Sequence, residues 1–421
     1  MEKVFFKTFG CSNNFAESEI MKGLVKQNFA VTSSIEAADI VVLNLCTVKG
    51  DEASLSAIKK VKAEHPYKQL IIAGCIPTHL LKKIRELDSE CGIINTHNID
   101  QINSVIEEVI NNHPIELVTH NQLVKLNFPR VRKNKIIAII PISNSCIGKC
   151  SYCSVRPIKG TFYSFPEETI LKEVKDAVES GCKEIWITSQ DCGCYGIDIN
   201  TNLAKLLEKI VDIEGEFYVR VGMVNPNNIT SYLDELVKVF EHKKIFKFLH
   251  IPIQSGSNQV LQEMNRQYTV EDFRKIINSF RKVIPNISIA TDVIVGFPTE
   301  NDVHFQETCA LIKGLKPDVI NISKFRKRPN TPAFKLQSID TKIVQNRSRE
   351  MTRIFDWVGL DVNRKWKLKE TTAIIDEEGK EGTLIARNIF YKQIIVPTAD
   401  FKIGDKVKVK IKSFTQHYLV A

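Results

Sequence analysis

Along the first 115 residues, short runs of consecutive apolar residues alternate with stretches in which apolar side chains recur every three or four positions. The runs Val4 to Thr8, Ile40 to Asn44, Leu70 to Ala73 and Gly92 to Ile94 predict strands, and AESEIMKGLVKQ and QINSVIEEVINN predict amphipathic helices. This alternation predicts α/β structure on a parallel sheet. From 133 to about 340 it repeats six times: KIIAIIPIS, KEIWITSQ, FYVRVGM, FKFLHIPI, SIATDVIVGF and DVINISKF read as strands, with helical patterns such as NLAKLLEKIVD and VEDFRKIINSFRKV between them. Uninterrupted apolar strands in that order predict a parallel barrel or part of one, with chemistry at the strand C-termini. Near 360 the pattern changes to short strands with glycine turns, in TTAIIDEEG, GTLIARNI, KQIIVPT and GDKVKVKIKSFTQHYLVA, which predicts a small β-barrel. The expected domains are therefore 1–118, 133–358 and 360–421.

A chain of 421 residues has room for two or three such units. Its 43% hydrophobic and 25% charged content is ordinary for a globular protein, and no apolar run approaches the roughly 20 residues that cross a bilayer. The N-terminus opens on a strand-like run rather than a secretion signal, so the expectation is a cytoplasmic protein without a membrane partner. Eleven cysteines, an odd number, argue against a disulfide framework and for metal ligation or reduced core thiols. The net charge of +9 is unevenly placed: residues 324–421 carry 21 Lys and Arg against 11 Asp and Glu, which leaves the rest of the chain at −1. Any basic partner surface belongs to the C-terminal part.

Three cysteines stand where strands end: Cys11 after VFFKTFG, Cys46 after DIVVLNL and Cys75 after LIIAG. One such residue alone is most simply an inert buried thiol. Strand ends of one parallel sheet share an edge, however, so these three are expected to form a facial set of thiolates for one metal centre. Gly10, Gly74 and Asn44 would let the backbone come close or place polar groups at the rim. A second set, Cys146, Cys150 and Cys153 in CIGKCSYC, follows the first strand of the barrel pattern. Soft thiolates select zinc or iron–sulfur. Zinc wants four ligands, and no further Cys or His stands nearby in the sequence. An iron–sulfur cluster with one iron open fits better, and the amino and carboxylate groups of S-adenosylmethionine suit that iron. Cys91, Cys182 and Cys309 read as structural.

CxxxCxxC at this place, with Tyr152 before the third cysteine, resembles the radical S-adenosylmethionine superfamily. The dispersed N-terminal cysteines and the phrases SQDCGCYG, HIPIQSGSNQVLQEMNRQYT, TDVIVGFPTE and FRKRPNTPA extend the likeness over the whole chain to the methylthiotransferases. NLCTVK, AGCIP and VRVGMVNP are similar to the archaeal and eukaryotic branch that acts on N6-threonylcarbamoyladenosine next to the tRNA anticodon. The resemblance implies a Rossmann-like α/β N-terminal domain, a partial (β/α)6 radical SAM barrel and a C-terminal TRAM β-barrel that binds RNA. It implies two [4Fe-4S] clusters, one on Cys146, Cys150 and Cys153 that cleaves S-adenosylmethionine, and an auxiliary one on Cys11, Cys46 and Cys75. A methyl group would first pass to sulfur at the auxiliary cluster; a 5′-deoxyadenosyl radical would then activate adenine C2. An aromatic C–H is too weakly acidic for an ordinary base, so the hard step belongs to the cofactors.

Tyr152, Gln190, Asp191, Arg220, Gln254 and Ser255 are the expected S-adenosylmethionine contacts, and Asn225, Asp292, Lys408 and Lys410 the expected substrate contacts. Lysines 402, 406, 408, 410 and 412 can neutralise phosphates, with Phe390, Tyr391, Phe401, Phe414 and Tyr418 as stacking faces, although KVKVKIK also reads as a charged edge strand. Partners implied are tRNA, an external electron donor and a sulfur donor, with no DNA. One departure stands out: Cys192 and Cys194 occupy positions where the family commonly has Thr and Ala. Alternative readings are a methylthiotransferase for another tRNA adenosine or for a ribosomal protein, and a non-enzymatic, metal-containing RNA-binding protein.

Overall fold

The computed structural model describes residues 1–46, 50–380, 382–398 and 401–421; Thr47, Val48 and Lys49, which end the NLCTVK phrase, lie outside the described residues. The N-terminal sheet has six strands in the order Ala30–Thr32, Lys3–Thr8, Ile40–Leu45, Gln69–Gly74, Gly92–Asn95 and Glu116–Leu117, and every pair is parallel. Ile40–Leu45 is buried along its whole length because helices cover both faces, which is why its sequence shows no polar alternation. The registers Thr8↔Asn44 and Leu45↔Gly74 bring the ends of the three cysteine-bearing strands to one edge. Glycine makes that edge tight. Gly10 has φ +107°, and a Cβ there would lie 2.4 Å from Cys46 Cβ; Gly74 has φ +98°, and its Cβ would lie 2.2 Å from Asn44 Oδ1.

The central domain has two three-stranded parallel sheets. One orders Tyr218–Val221, Glu184–Thr188 and Ile137–Pro141, the other Phe248–His250, Ser288–Val295 and Val319–Lys324. A parallel bridge, Val219↔Ile245, joins them into the open six-stranded (β/α) barrel that the pattern predicts. Strand alternation sends Ile185, Ile187, Val219, Val221, Leu249, Ile289 and Ile320 into the main core. The intervening residues, among them Thr188, Arg220, His250, Asp292 and Asn321, therefore face the barrel interior.

The 24-residue helix Thr341–Arg364 packs on the last barrel strand and leads into the C-terminal domain. There, strands form one curled six-stranded sheet in the order Lys406–Lys410, Glu370–Glu378, Thr383–Asn388, Gln393–Pro397, Leu419–Val420 and Ser413–Phe414. Its core gathers Trp366, Ile375, Ala386, Ile394, Val407, Val409 and Leu419. The structure corrects one expectation here. Tyr391 is no open stacking face: its ring meets Trp186, Phe246 and Phe248 of the barrel at centroid distances of 6.4, 4.9 and 4.9 Å, plugging the junction. Phe390 likewise packs on Trp366. Among the described residues, no helix is long and apolar enough to cross a membrane.

Candidate active site

The helix Ser12–Val25 begins directly after Cys11, and its first turn carries Asn14 into the cysteine-bearing edge. The thiols of Cys11 and Cys75 both point to Asn14 Oδ1, at 3.4 and 3.9 Å. Asn14 Nδ2 in turn donates to Leu45 O at 2.7 Å, and Asn44 Nδ2 donates back to Asn14 O and to Ser18 Oγ, each at 2.8 Å. A hydrogen bond from Cys46 pulls the Cys11 thiol down to about 6, whereas burial pushes Cys75 up to about 11. Cys46 and Cys75 are buried and Cys11 is exposed, so the set opens on one side only.

A buried ionic knot backs this set. Lys159, six residues past Cys153, sends Nζ to Glu17 Oε1 at 2.8 Å and to Thr96 Oγ1 at 2.6 Å; Lys125 Nζ reaches the same two atoms, both at 2.6 Å. Burial opposes ionisation of Glu17, but the two ammonium groups hold its carboxyl down to about 2. Burial also opposes the charge on Lys159, yet Cys75 and Glu17 hold its pKa above the usual lysine value. Two ammonium groups against one carboxylate leave net positive charge beside the thiols.

The second set lies where the sequence placed it, after the first barrel strand. Gly148 N donates to Cys146 Sγ at 3.2 Å, and Arg266 Nη1 donates to Cys150 Sγ at 3.1 Å. Arg266 also donates to Asn225 Oδ1 and, through Nε, to Tyr268 Oη at 2.9 Å. Gln190 Oε1 accepts from Ser145 N at 2.7 Å, which ties the next strand end to the cysteine loop. Asp191 is a buried hub. Its Oδ1 accepts from Gly193 N and Asn225 N, and its Oδ2 from Asn225 Nδ2 and Asn228 Nδ2, both at 2.6 Å. Cys194 and Cys146 lie against the same oxygen at 3.1 and 3.9 Å. No further cysteine stands near CIGKCSYC in the sequence, but the fold supplies one: the turn after the strand Glu184–Thr188 folds Cys194 back onto Cys146.

The other expected contacts divide. Across three neighbouring strands, Asp292 Oδ2 pairs with His250 Nε2 at 3.0 Å and Oδ1 accepts from Asn321 Nδ2 at 2.7 Å. Burial works against its charge, but these partners keep the Asp292 carboxyl below its usual value. Gln254, at φ +70°, is bound through its backbone to the Asp292 strand. Ser255 is engaged in a turn with Ser257 N and Thr308. Tyr152 packs edge-on to Phe297 in an apolar cluster that anchors the loop. Arg220 lies over Trp186, Phe248 and Tyr391 at 5.0, 5.5 and 5.4 Å, in the junction with the C-terminal sheet rather than against the cysteine loop. Lys408 and Lys410 stand exposed on the outer edge strand. Asn14, Lys159, Arg266, Asn228 and His250 escaped the sequence reading: His250 and Arg266 lie inside the HIPIQSGSNQVLQEMNRQYT phrase and the others outside the quoted phrases, but each acquires its partners only through tertiary contact.

The two cysteine sets face one junction. Ser12 Oγ, adjacent to Cys11, bonds Thr188 Oγ1 at 2.8 Å, three residues before the Asp191 carboxylate that touches Cys146. His97 Nε2 meets Ile158 O at 2.9 Å across the same seam.

Residues 140–312 match the model of the radical SAM superfamily, residues 3–95 that of the uncharacterized protein family UPF0004, and residues 367–421 the TRAM domain. A probable threonylcarbamoyladenosine tRNA methylthiotransferase of Pyrococcus abyssi is 38% identical, over 100% of this chain and 99% of that protein. The human threonylcarbamoyladenosine tRNA methylthiotransferase is 34% identical over 100% of this chain and 73% of its own length. Among solved structures, the radical S-adenosylmethionine methyltransferase TsrM of Kitasatospora setae, with cobalamin and a [4Fe-4S] cluster bound, superposes with a TM-score of 0.59 at 13% identity. It covers 79% of this chain and 77% of that one, and at this identity the likeness speaks to fold alone.

Proposed function

The chain belongs to the threonylcarbamoyladenosine tRNA methylthiotransferase family, and on that premise we propose that it installs a methylthio group on C2 of N6-threonylcarbamoyladenosine next to the anticodon of tRNA. The observation that carries the reading is the convergence of two three-thiol sets on one domain junction, linked by the Ser12–Thr188 bond and by Lys159, which reaches from the segment after Cys153 to Glu17 and Thr96 behind the other set. Each set offers three soft donors, as a [4Fe-4S] cluster with one open iron requires. Cys146, Cys150 and Cys153 would hold one cluster; Cys11, Cys46 and Cys75 the other. With S-adenosylmethionine, these groups supply reductive carbon–sulfur cleavage, a carbon-centred radical and the methylthio unit.

Side chains do the positioning. Gln190, next to the cysteine loop, would take the polar end of S-adenosylmethionine, and Asp191, fixed by four N–H donors, would contribute to that pocket by exchanging one of them. Arg266 offsets thiolate charge at Cys150. The His250–Asp292–Asn321 row lines the interior face where a flipped-out adenine base would be read by hydrogen bonds. Lys410 and its neighbours contact tRNA phosphates. A cytoplasmic setting, an external electron donor and a sulfur donor complete the proposal. Mass spectrometry of tRNA nucleosides from a strain lacking the protein tests it: methylthio-threonylcarbamoyladenosine should disappear and its unthiolated precursor accumulate, whereas an unchanged profile refutes the assignment.

A further inference from the structure

The sequence offers no fourth zinc-type ligand near the cysteine loop, but the fold delivers Cys194 to it. The sulfur atoms of Cys146 and Cys194 and a carboxylate oxygen of Asp191 all lie within 4.8 Å of one another. Asp191 Oδ2 is 3.1 Å from Cys194 Sγ and 3.9 Å from Cys146 Sγ. Around a tetrahedral ion with metal–sulfur bonds of about 2.3 Å and metal–oxygen bonds of about 2.0 Å, such donors sit roughly 3.5 Å apart. The two observed oxygen–sulfur distances bracket that value, and the third side of the triangle is no longer than 4.8 Å.

Its surroundings match a built site as well. Asn228 Nδ2 donates to Asp191 Oδ2 at 2.6 Å and to Cys194 Sγ at 3.0 Å, Asn225 Nδ2 donates to the same oxygen at 2.6 Å, and Gly193 N and Asn225 N fix the other carboxylate oxygen, so a metal at Oδ2 takes the place of one of these amide donors. Ligands of mononuclear metals are oriented by hydrogen bonds of this kind. Asp191 and Cys194 are fully buried, while Cys146 is partly open and offers the entry side. Cys150 is not part of the triangle and its Sγ accepts from Arg266 Nη1 instead.

We propose that, in the cluster-free chain, Cys146, Asp191 and Cys194 form a mononuclear site for a thiophilic divalent cation of the zinc or ferrous kind, which shares Cys146 with the iron–sulfur site and blocks cluster assembly while occupied. Binding M²⁺ releases the two thiol protons to solvent, and a water takes the fourth position. Because only one ligand is shared, occupancy of one site excludes the other. A loaded Zn²⁺ or Fe²⁺ ion therefore withholds Cys146 from the cluster until it leaves.

The probe is Co²⁺, added anaerobically to the full-length, cluster-free chain carrying Cys46→Ser, which dismantles the other thiol set. One equivalent should bind with the intense visible absorption of tetrahedral, thiolate-ligated cobalt and be released by one equivalent of Zn²⁺. Adding Cys194→Ala should weaken binding by more than about 10-fold and abolish that spectrum; adding Cys150→Ala should change neither. A cobalt signal that survives Cys194→Ala, or that vanishes with Cys150→Ala, overturns the site. Zn²⁺ supplied before iron and sulfide should prevent cluster formation in the Cys46→Ser chain but not once Cys194→Ala is added, and equal inhibition in both overturns the competition. Zinc-free reconstitution of the Cys194→Ala chain is expected to succeed, which keeps this test separate from the three-cysteine assignment.

Discussion

Cys150 and Cys46 make the two thiol sets separable at single positions, because each contacts its own domain: Cys150 lies under Arg266, Cys46 under Gly10. Cys150→Ala should abolish reductive formation of 5′-deoxyadenosine and leave about four irons of the roughly eight that two [4Fe-4S] clusters contain. Cys46→Ala should retain cleavage and lose methylthio transfer to tRNA; loss of both activities in both variants would contradict two independent clusters. The ionic knot allows a sharper contrast. Glu17→Gln leaves Lys125 and Lys159 buried without their shared carboxylate and should cost about 3–5 kcal/mol in thermal or denaturant unfolding. Lys159→Gln leaves a one-to-one Lys125–Glu17 pair, so its stability cost should be much smaller. By removing positive charge beside Cys75 it should instead make the auxiliary cluster harder to reduce, seen as a more negative midpoint in an EPR-monitored titration, with the other cluster unmoved. The place of Cys11, Cys46 and Cys75 at one sheet edge was legible because strand periodicity exposes where strands end, and Cys146, Cys150 and Cys153 stood out by their spacing. Asn14 and Lys159 were not legible, since partners 61 and 142 positions away leave no spacing to read; Cys194 stood out in the sequence as a departure from the family's usual residue, but its contact with the Cys146 side of the site did not.

At the level of elements, the cysteine-bearing edge depends on backbone that a Cβ would block. Gly10→Ala puts a methyl 2.4 Å from Cys46 Cβ and 2.5 Å from its Sγ, at a φ of +107° that also costs about 1–3 kcal/mol. Its expected result is loss of the auxiliary irons with S-adenosylmethionine cleavage retained, read by iron and sulfide counts; full iron loading would show the edge to be more yielding than its packing implies. The inner strands of this sheet were readable within about a residue at each end because burial on both faces makes their runs purely apolar. The outer strands Ala30–Thr32 and Glu116–Leu117 were not, being short and half-exposed, with no run to detect. In the C-terminal sheet, periodicity gave the strands but not the partner of Tyr391. An aromatic that packs across a domain junction has the same local pattern as one left open for a base.

For the whole molecule, the junction between barrel and C-terminal sheet carries buried charge that responds to pH. Burial pushes Glu184 up to about 7, reinforced by Asp376, and Asp376 itself up to about 6, with Arg220, Arg387, Glu377 and Tyr391 around them. Both carboxyls hold protons more tightly folded than unfolded, so their contribution is complete below about pH 4 and is lost as pH climbs through 6 to 7. Thermal stability should therefore decline between pH 5 and 8, by up to about 3 kcal/mol for Glu184, and Glu184→Gln should flatten the curve. That junction also decides how the RNA grip must be tested. Deleting the C-terminal domain would bare Trp186, Phe246 and Phe248 and disturb the barrel, so weaker tRNA binding would say little about phosphates. Charge substitutions on the edge strand avoid this. Lys406 is neutralised by Glu216 at 2.6 Å and Lys408 by Glu370 at 2.8 Å; Lys410 stands in register with the same Glu370 but makes no ion pair with it, and Lys412 makes none among the described residues. Each of Lys410→Ala and Lys412→Ala should lower the slope of log affinity against log salt by about 1, and Lys408→Ala by less. Removing the competing anion with Glu370→Ala should strengthen binding at low salt, because a freed Lys408 releases one more counterion from the RNA. If all four variants kept the parental slope, tRNA would have to be gripped elsewhere, and the positive surplus of residues 324–421 would then have to act through the side chains that precede this sheet.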